Sequence, residues 1–196
     1  SLLPPNAPFF RLVLDEREVR NMEAMGPQIK TEVEKSLSEI ERAVAREIEL
    51  NNIRVSTFEA LRHLVVGGNA LLYLPDEGPM RVIHLDRYIV KRDPSGHPKC
   101  IILKETVAPA VLPEEIRAYV ESNMADYEDH CDLFTKQETL PDGKIEIVQE
   151  VGGQIIEETR QILPEEKSPF IALRMMRVDG ESYGRGYVEA LKQWRE

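Results

Sequence analysis

From Gln28 to about Leu50, apolar residues recur at Ile29, Val33, Leu37, Ile40, Val44 and Ile48. Steps of three and four residues return a side chain to the same face of a helix, so these six form one stripe. The other face carries Lys30, Glu34, Lys35, Glu41, Arg42 and Glu49. Pro27 suits the first turn, where its missing N–H costs nothing. The stripe has the spacing of a coiled-coil seam, but three heptads is short for one. The expectation is a long helix packed on a domain core.

Around this helix the order is helices first, then strands. Ser1–Pro8, with prolines at 4, 5 and 8, reads as extended. Phe9–Leu14 reads as a short strand, and Asp15 as the N-cap of a helix to about Met22. Ser56-Thr57-Phe58-Glu59 fits a capping box for a helix that shows Phe58, Leu61, Leu64 and Val65 on one side and ends at Gly67-Gly68. Asn69–Leu74 then reads as a buried strand.

Strands are expected at Met80–Leu85, Arg87–Lys91 and Cys100–Val107, with a turn at Asp93–Gly96. A helix follows over Leu112–Asn123. The segments Asp132–Thr139, Lys144–Val151 and Gln154–Ile162, joined at Pro141-Asp142-Gly143 and Gly152-Gly153, form a three-strand meander. Pro169–Val178 is the last strand, and a helix opens at Gly186. The fold class is therefore α+β, with long amphipathic helices packed on a largely antiparallel β-sheet. Beginning at Ser1 and closing on a helix without a stop signal, the sequence reads as a piece of a longer polypeptide.

Charge narrows the function classes. The chain has 196 residues, 35 acidic against 25 basic, and a net charge of −10. That argues against a domain gripping phosphates with a basic face. No run approaches the roughly 18–20 apolar residues of a membrane span, so no membrane partner is expected. Cys100 and Cys131 are too few for a disulfide framework and read as reduced thiols.

Candidate sites are few. His63, His84, His97 and His130 form no two-ligand helical spacing. Asp126-Tyr127-Glu128-Asp129-His130-Cys131-Asp132 concentrates carboxylates, an imidazole and a thiol, yet matches neither zinc nor calcium patterns and reads as a solvated acidic loop. Ser56 and Ser182 lack a recognisable catalytic setting. Asp179-Gly180-Glu181-Ser182-Tyr183-Gly184-Arg185-Gly186 sits between a strand and a helix, where backbone N–H groups can cradle phosphates. It lacks the ending of a P-loop and the glycine spacing of a dinucleotide site. The favoured reading is a turn of fixed geometry, a structural joint of Asp179, Gly180, Glu181, Tyr183, Gly184, Arg185 and Gly186. No catalytic, metal or cofactor-binding residues are assigned, and no cofactor is expected. The alternatives are a nucleotide-binding or transferase domain using Gly180–Gly186, and a tail or adaptor protein.

Four segments resemble the portal, or head-to-tail connector, of short-tailed phages. They are Arg54–Pro75, Tyr88–Asp93, Leu112–Arg117 and Pro169–Gly186, in the family's order. The specific ones are V-x-G-N-x-L-L-Y-L-P after a helix and D-G-E-S-Y-G-R ahead of one. The loop after Pro75 and Glu121–Gln137 match less closely. The resemblance implies a structural subunit, not an enzyme, of a dodecameric ring at the capsid vertex of the virion, assembled in the host cytoplasm and encoded by a phage or prophage. Implied partners are further copies of itself, the terminase (packaging ATPase), capsid and scaffold proteins, tail and adaptor proteins, and double-stranded DNA passing without sequence specificity. It also implies that residues 1–185 are the wing domain and 186–196 the start of a stem helix. The clip, the rest of the stem and the crown would lie beyond Glu196. On this reading Gly184→Val abolishes ring assembly and leaves the wing folded.

Overall fold

The computed structural model describes residues 10–76, 78–123 and 130–193. It divides into two compact units: Ser1–Thr57 with Gly78–Met80, and Phe58–Glu77 with Arg81–Glu196.

The first unit is helical. Helix α1 (Glu16–Met25) and α2 (Pro27–Leu50) are separated by Gly26, with Pro27 in the first turn of α2 as expected. Residues 10–14 do not form the predicted strand. No strand partner meets them among the described residues, and the Leu12 N–H instead donates to Glu41 Oε1 at 2.6 Å. The α2 stripe packs with α1 and residues 11–14 without being closed off. Val33, Leu37 and Ile48 are half-buried, while Ile29, Ile40 and Val44 are exposed.

Helix α3 (Ile53–Gly67) corrects the capping-box reading. Asn52 adopts φ 51°, which lets the chain re-enter a helix directly after α2. The N–H groups of Val55 and Ser56 both reach the Asn52 carbonyl. Asparagine tolerates this left-handed conformation better than most residues. Ser56 therefore lies inside the helix, and its Oγ donates to the Met80 carbonyl at 2.9 Å.

The second unit holds both sheets. Its part of α3 buries Ala60, whereas Phe58 and Val65, two of the four apolar residues read on one side of this helix, are exposed. A three-stranded antiparallel sheet has the order β2 (Arg81–Ile83), β1 (Asn69–Tyr73), β8 (Phe170–Arg174). A five-stranded antiparallel sheet runs β3 (Tyr88–Arg92), β4 (Pro98–Val107), β5 (Cys131–Thr139), β6 (Lys144–Val151), β7 (Gln154–Pro164). The predicted strand Met80–Leu85 shortens to three residues because a 3-10 turn over Leu85–Arg87 takes its end. The last predicted strand stops at Arg174 and does not run to Val178.

Two apolar clusters hold this unit together. Leu71, Ile83, Tyr88, Val90, Ile101, Leu103 and Phe170 bring the two sheets onto one core. Leu112, Ile116 and Val120 of α4 (Glu114–Asn123) and the residues before it cover Cys131, Leu133, Val151 and Ile156. Strand β5 shows the expected period of two, with Cys131, Leu133, Thr135 and Gln137 buried on one face. Its two buried polar residues have partners: Thr135 Oγ1 accepts from Gln149 Nε2 at 3.1 Å, and Gln137 Oε1 accepts from Ser168 Oγ at 2.9 Å. Burial without such partners would cost about 1–3 kcal/mol each.

Candidate functional site: a joint ahead of the last helix

The segment from Asp179 to Gly186 leads from β8 into helix α5 (Tyr187–Gln193). The structure divides it in two. Asp179, Gly180 and Glu181 lie at the surface, in a turn closed by the Glu181 N–H on the Val178 carbonyl at 3.2 Å. Gly184 and Gly186 are buried, and Ser182, Tyr183 and Arg185 half-buried.

The buried half is held from three directions. Tyr183 packs against the core between the sheets, and its hydroxyl accepts from the Val90 N–H at 3.0 Å. The Ser182 carbonyl accepts from Arg92 Nε at 2.9 Å. Backbone bonds join Arg185 and Met176 in both directions, at 2.9 and 3.3 Å. Arg185 adds surface ion pairs to Glu181 at 3.2 Å and Glu189 at 3.6 Å.

The third anchor comes from the end of α3. Gly68 has φ 73°, and a Cβ placed there would lie 2.3 Å from the Arg185 carbonyl carbon. Reciprocally, a Cβ on Gly186 would lie 2.3 Å from the Val66 oxygen. Two backbones thus cross at a distance only glycine permits. Asn69, 4% exposed, fastens the crossing with its side chain. Its Nδ2 donates to the carbonyls of Gly67 at 2.9 Å and Gly184 at 2.7 Å, and its Oδ1 accepts from the Gly184 N–H at 2.7 Å.

This geometry decides against a phosphate cradle. The N–H groups of Glu181, Gly184 and Arg185 are already bonded to Val178, Asn69 and Met176. A phosphate loop needs such donors free and pointing at the ligand. It also revises the expectation for Gly184: its Cβ would lie 2.9 Å from Arg174 Cβ and 3.0 Å from two carbonyl oxygens inside the same unit. A valine there strains this unit's own packing as well as the joint.

The turn expected from the sequence covered Asp179–Gly186 but not Gly68, Asn69 or Arg92, which the structure brings against it. The available signal was Asn69 itself, a polar residue heading an apolar strand directly after two glycines. Its partner lies 115 residues away, and no local pattern gives that distance. The histidines play no part in the joint. His63 and His84 meet edge to face with ring centres 5.0 Å apart, His84 Nδ1 lies 2.6 Å from Asp86, and His97 lies beside Asp93 in the β3–β4 turn. Of the acidic segment, residues 126–129 lie outside the described residues, His130 is exposed, and Asp132 pairs with Lys104 at 2.7 Å.

The chain belongs to the family described as bacteriophage head to tail connecting protein, which matches residues 1–192. Over 193 residues it is 37% identical to the portal protein of Escherichia phage T7, covering 94% of this chain and 36% of that protein. The portal protein of Enterobacteria phage T3 is 35% identical over 195 residues, covering 94% of the chain and 36% of the relative. For Enterobacteria phage SP6 the portal protein is 28% identical over 192 residues, covering 96% and 37%. The chain spans about a third of the length of these relatives.

Proposed function

We propose that this chain is part of a structural portal subunit, one of a ring of copies forming the channel for DNA at a phage capsid vertex. The observation that carries it is the family match across residues 1–192, together with 37% identity to a protein named portal. The joint supports it. A ring subunit needs a rigid scaffold that fixes the direction of a channel-lining helix, and needs no active site. Residues 1–185 serve as the peripheral wing, and the helix from Gly186 is the first part of the stem. The role is not enzymatic, and ATP hydrolysis during packaging belongs to the terminase partner.

The remaining partners follow from that role. Capsid and scaffold proteins meet the ring at the vertex, and tail or adaptor proteins join it after filling. Double-stranded DNA passes without sequence readout, since a chain of net charge −10 neutralises few phosphates and leaves the duplex mobile. The place of action is the virion, with assembly in the host cytoplasm from a phage or prophage gene. The test is the native mass of the full-length subunit, with negative-stain images of the same sample. A closed ring, a dodecamer, with a central hole is expected. A subunit that stays monomeric across concentrations and ionic strengths would reject the reading.

A further inference from the structure

We propose that α2 of one copy of this chain docks on α3 of the next, with Ile40, Val44 and Ile48 against Phe58, Val65 and Val66, and Glu47 opposite Arg62. The inference rests on the ring reading above and names a contact that holds neighbouring copies together. The stripe of α2 repeats every eleven residues, since Ile29, Val33 and Leu37 return as Ile40, Val44 and Ile48. Three turns of about 3.67 residues lie close to the helix's own 3.6, so the apolar face runs almost straight. Helix α1 has 10 residues and α2 has 24, about 15 Å against 36 Å, so α1 is too short to cover all of it. In the second block Ile40 is 50% exposed and Val44 41%. Glu41 and Glu47 stand about 60° to either side of Val44. Their bonds go to the Leu12 N–H and the Asn51 amide, neutral donors that leave both charges standing. Arg42 and Arg46 are about 160° round the helix, and Lys30 is about 15 Å before Ile40 along it. This half of the face is therefore apolar with acidic flanks.

Helix α3 presents the opposite sign. Phe58 is 69% exposed, and Val65 and Val66 are exposed with it. Arg62 stands about 40° from both Phe58 and Val66. It is exposed, and among the described residues it makes no ion pair. Arg54, on the same side one turn earlier, is already held by Glu49. Glu59 lies about 100° round from Phe58, outside the face. Among the described residues, the unpaired charge on this apolar surface is therefore positive.

Charge decides which surfaces can meet. Two α2 faces would set Glu41 and Glu47 against the same glutamates, and two α3 faces would oppose Arg62 to itself. Like charges brought together across an interface are disfavoured. Opposite charges meet when α2 of one copy receives α3 of another. A contact between two different patches of one chain is head-to-tail, the kind that closes into a ring when the rotation allows. The aliphatic side chains of α2 and the phenyl and valine side chains of α3 then form an apolar centre, with the charges at its rim.

The experiment measures the native mass of the full-length subunit against its concentration, with negative-stain images. Glu47→Arg and Arg62→Glu should each raise the concentration at half assembly about tenfold, and the double variant should return it close to the parent's. Phe58→Ser should raise it about tenfold as well, with an unchanged melting temperature because that side chain already lies mostly in water. Co-assembling a Val44→Cys subunit with a Phe58→Cys subunit under mild oxidant should join the two copies by a disulfide. Single variants that all assemble like the parent, a double variant no better than the worse single one, or no disulfide between the two cysteine subunits would each overturn the contact and leave the ring reading standing. A disulfide formed by the Val44→Cys subunit alone would mark a two-fold α2 pair and overturn it too. A parent subunit that forms no ring would reject the ring reading itself, and this contact with it.

Discussion

The side chain of Asn69 holds both backbone polar groups of Gly184, donating to its carbonyl and accepting from its N–H at 2.7 Å each. At neutral pH an amide can do both from one plane, whereas an ionised carboxylate can only accept. Asn69→Ala should therefore destabilise the second unit by about 2–4 kcal/mol, since it leaves a buried donor and acceptor unpaired. Asn69→Asp should be no better at neutral pH, because a carboxylate would face the carbonyls of Gly67 and Gly184. Protonation restores one donor, so the aspartate variant should lose less stability near pH 4 than at pH 7. Urea unfolding of the three proteins at both values checks the order.

Glycine positions in the joint should separate sharply by what a methyl group would strike. Gly68→Ala and Gly186→Ala each place Cβ 2.3 Å from backbone atoms, and Gly68 adds the left-handed penalty of about 1–2 kcal/mol. Gly153 has φ 83° and open space around it, so Gly153→Ala should cost about that penalty alone. Thermal melts should therefore rank Gly68 and Gly186 as far more damaging than Gly153. Gly184→Val should also lower the melting temperature, unlike a change confined to subunit assembly.

The parts of this fold that were legible in the sequence are those fixed by local pattern. The stripe from Ile29 to Ile48 gave α2, and the glycine turns gave the meander β5–β6–β7. Misreadings occurred where a local rule lost to a neighbouring one. Ser56 has a capping spacing, but Asn52 turns the chain four residues earlier. Val178 falls within the expected strand Pro169–Val178, yet β8 ends at Arg174 and Met176 pairs with Arg185 instead. The joint's second half stood out by its glycines, whereas its partner Asn69 could be found only through a contact across 115 residues.

Cys131 should be unreactive in the folded chain. It is 4% exposed, its Sγ donates to the Val107 carbonyl at 3.6 Å, and burial followed by the Asp132 charge raises its pKa above the ordinary thiol value. The reactive species is the thiolate, so both access and ionisation oppose attack. Iodoacetamide should label Cys131 only as fast as the chain unfolds, and added denaturant should accelerate labelling in step with unfolding. Rapid labelling under native conditions would mean that β4 and β5 separate locally.

Tyr88 should make the second unit fragile in alkali. Its ring is buried in the core between the two sheets, and burial, with Tyr183 nearby, raises its pKa well above the ordinary 10.0. A raised acid pKa means that the neutral form is favoured in the folded state. Its contribution is fully present below pH 10, where the phenol is protonated in both states. Above pH 10 the unfolded chain ionises and the folded one does not, so stability falls by up to about 1.4 kcal/mol per pH unit. Tyr88→Phe removes the titrating group while keeping the ring in place. Its stability should match the parent at pH 8 and decline less steeply between pH 10 and 11. Parallel slopes for the two proteins would show that the Tyr88 hydroxyl reaches solvent in the folded chain.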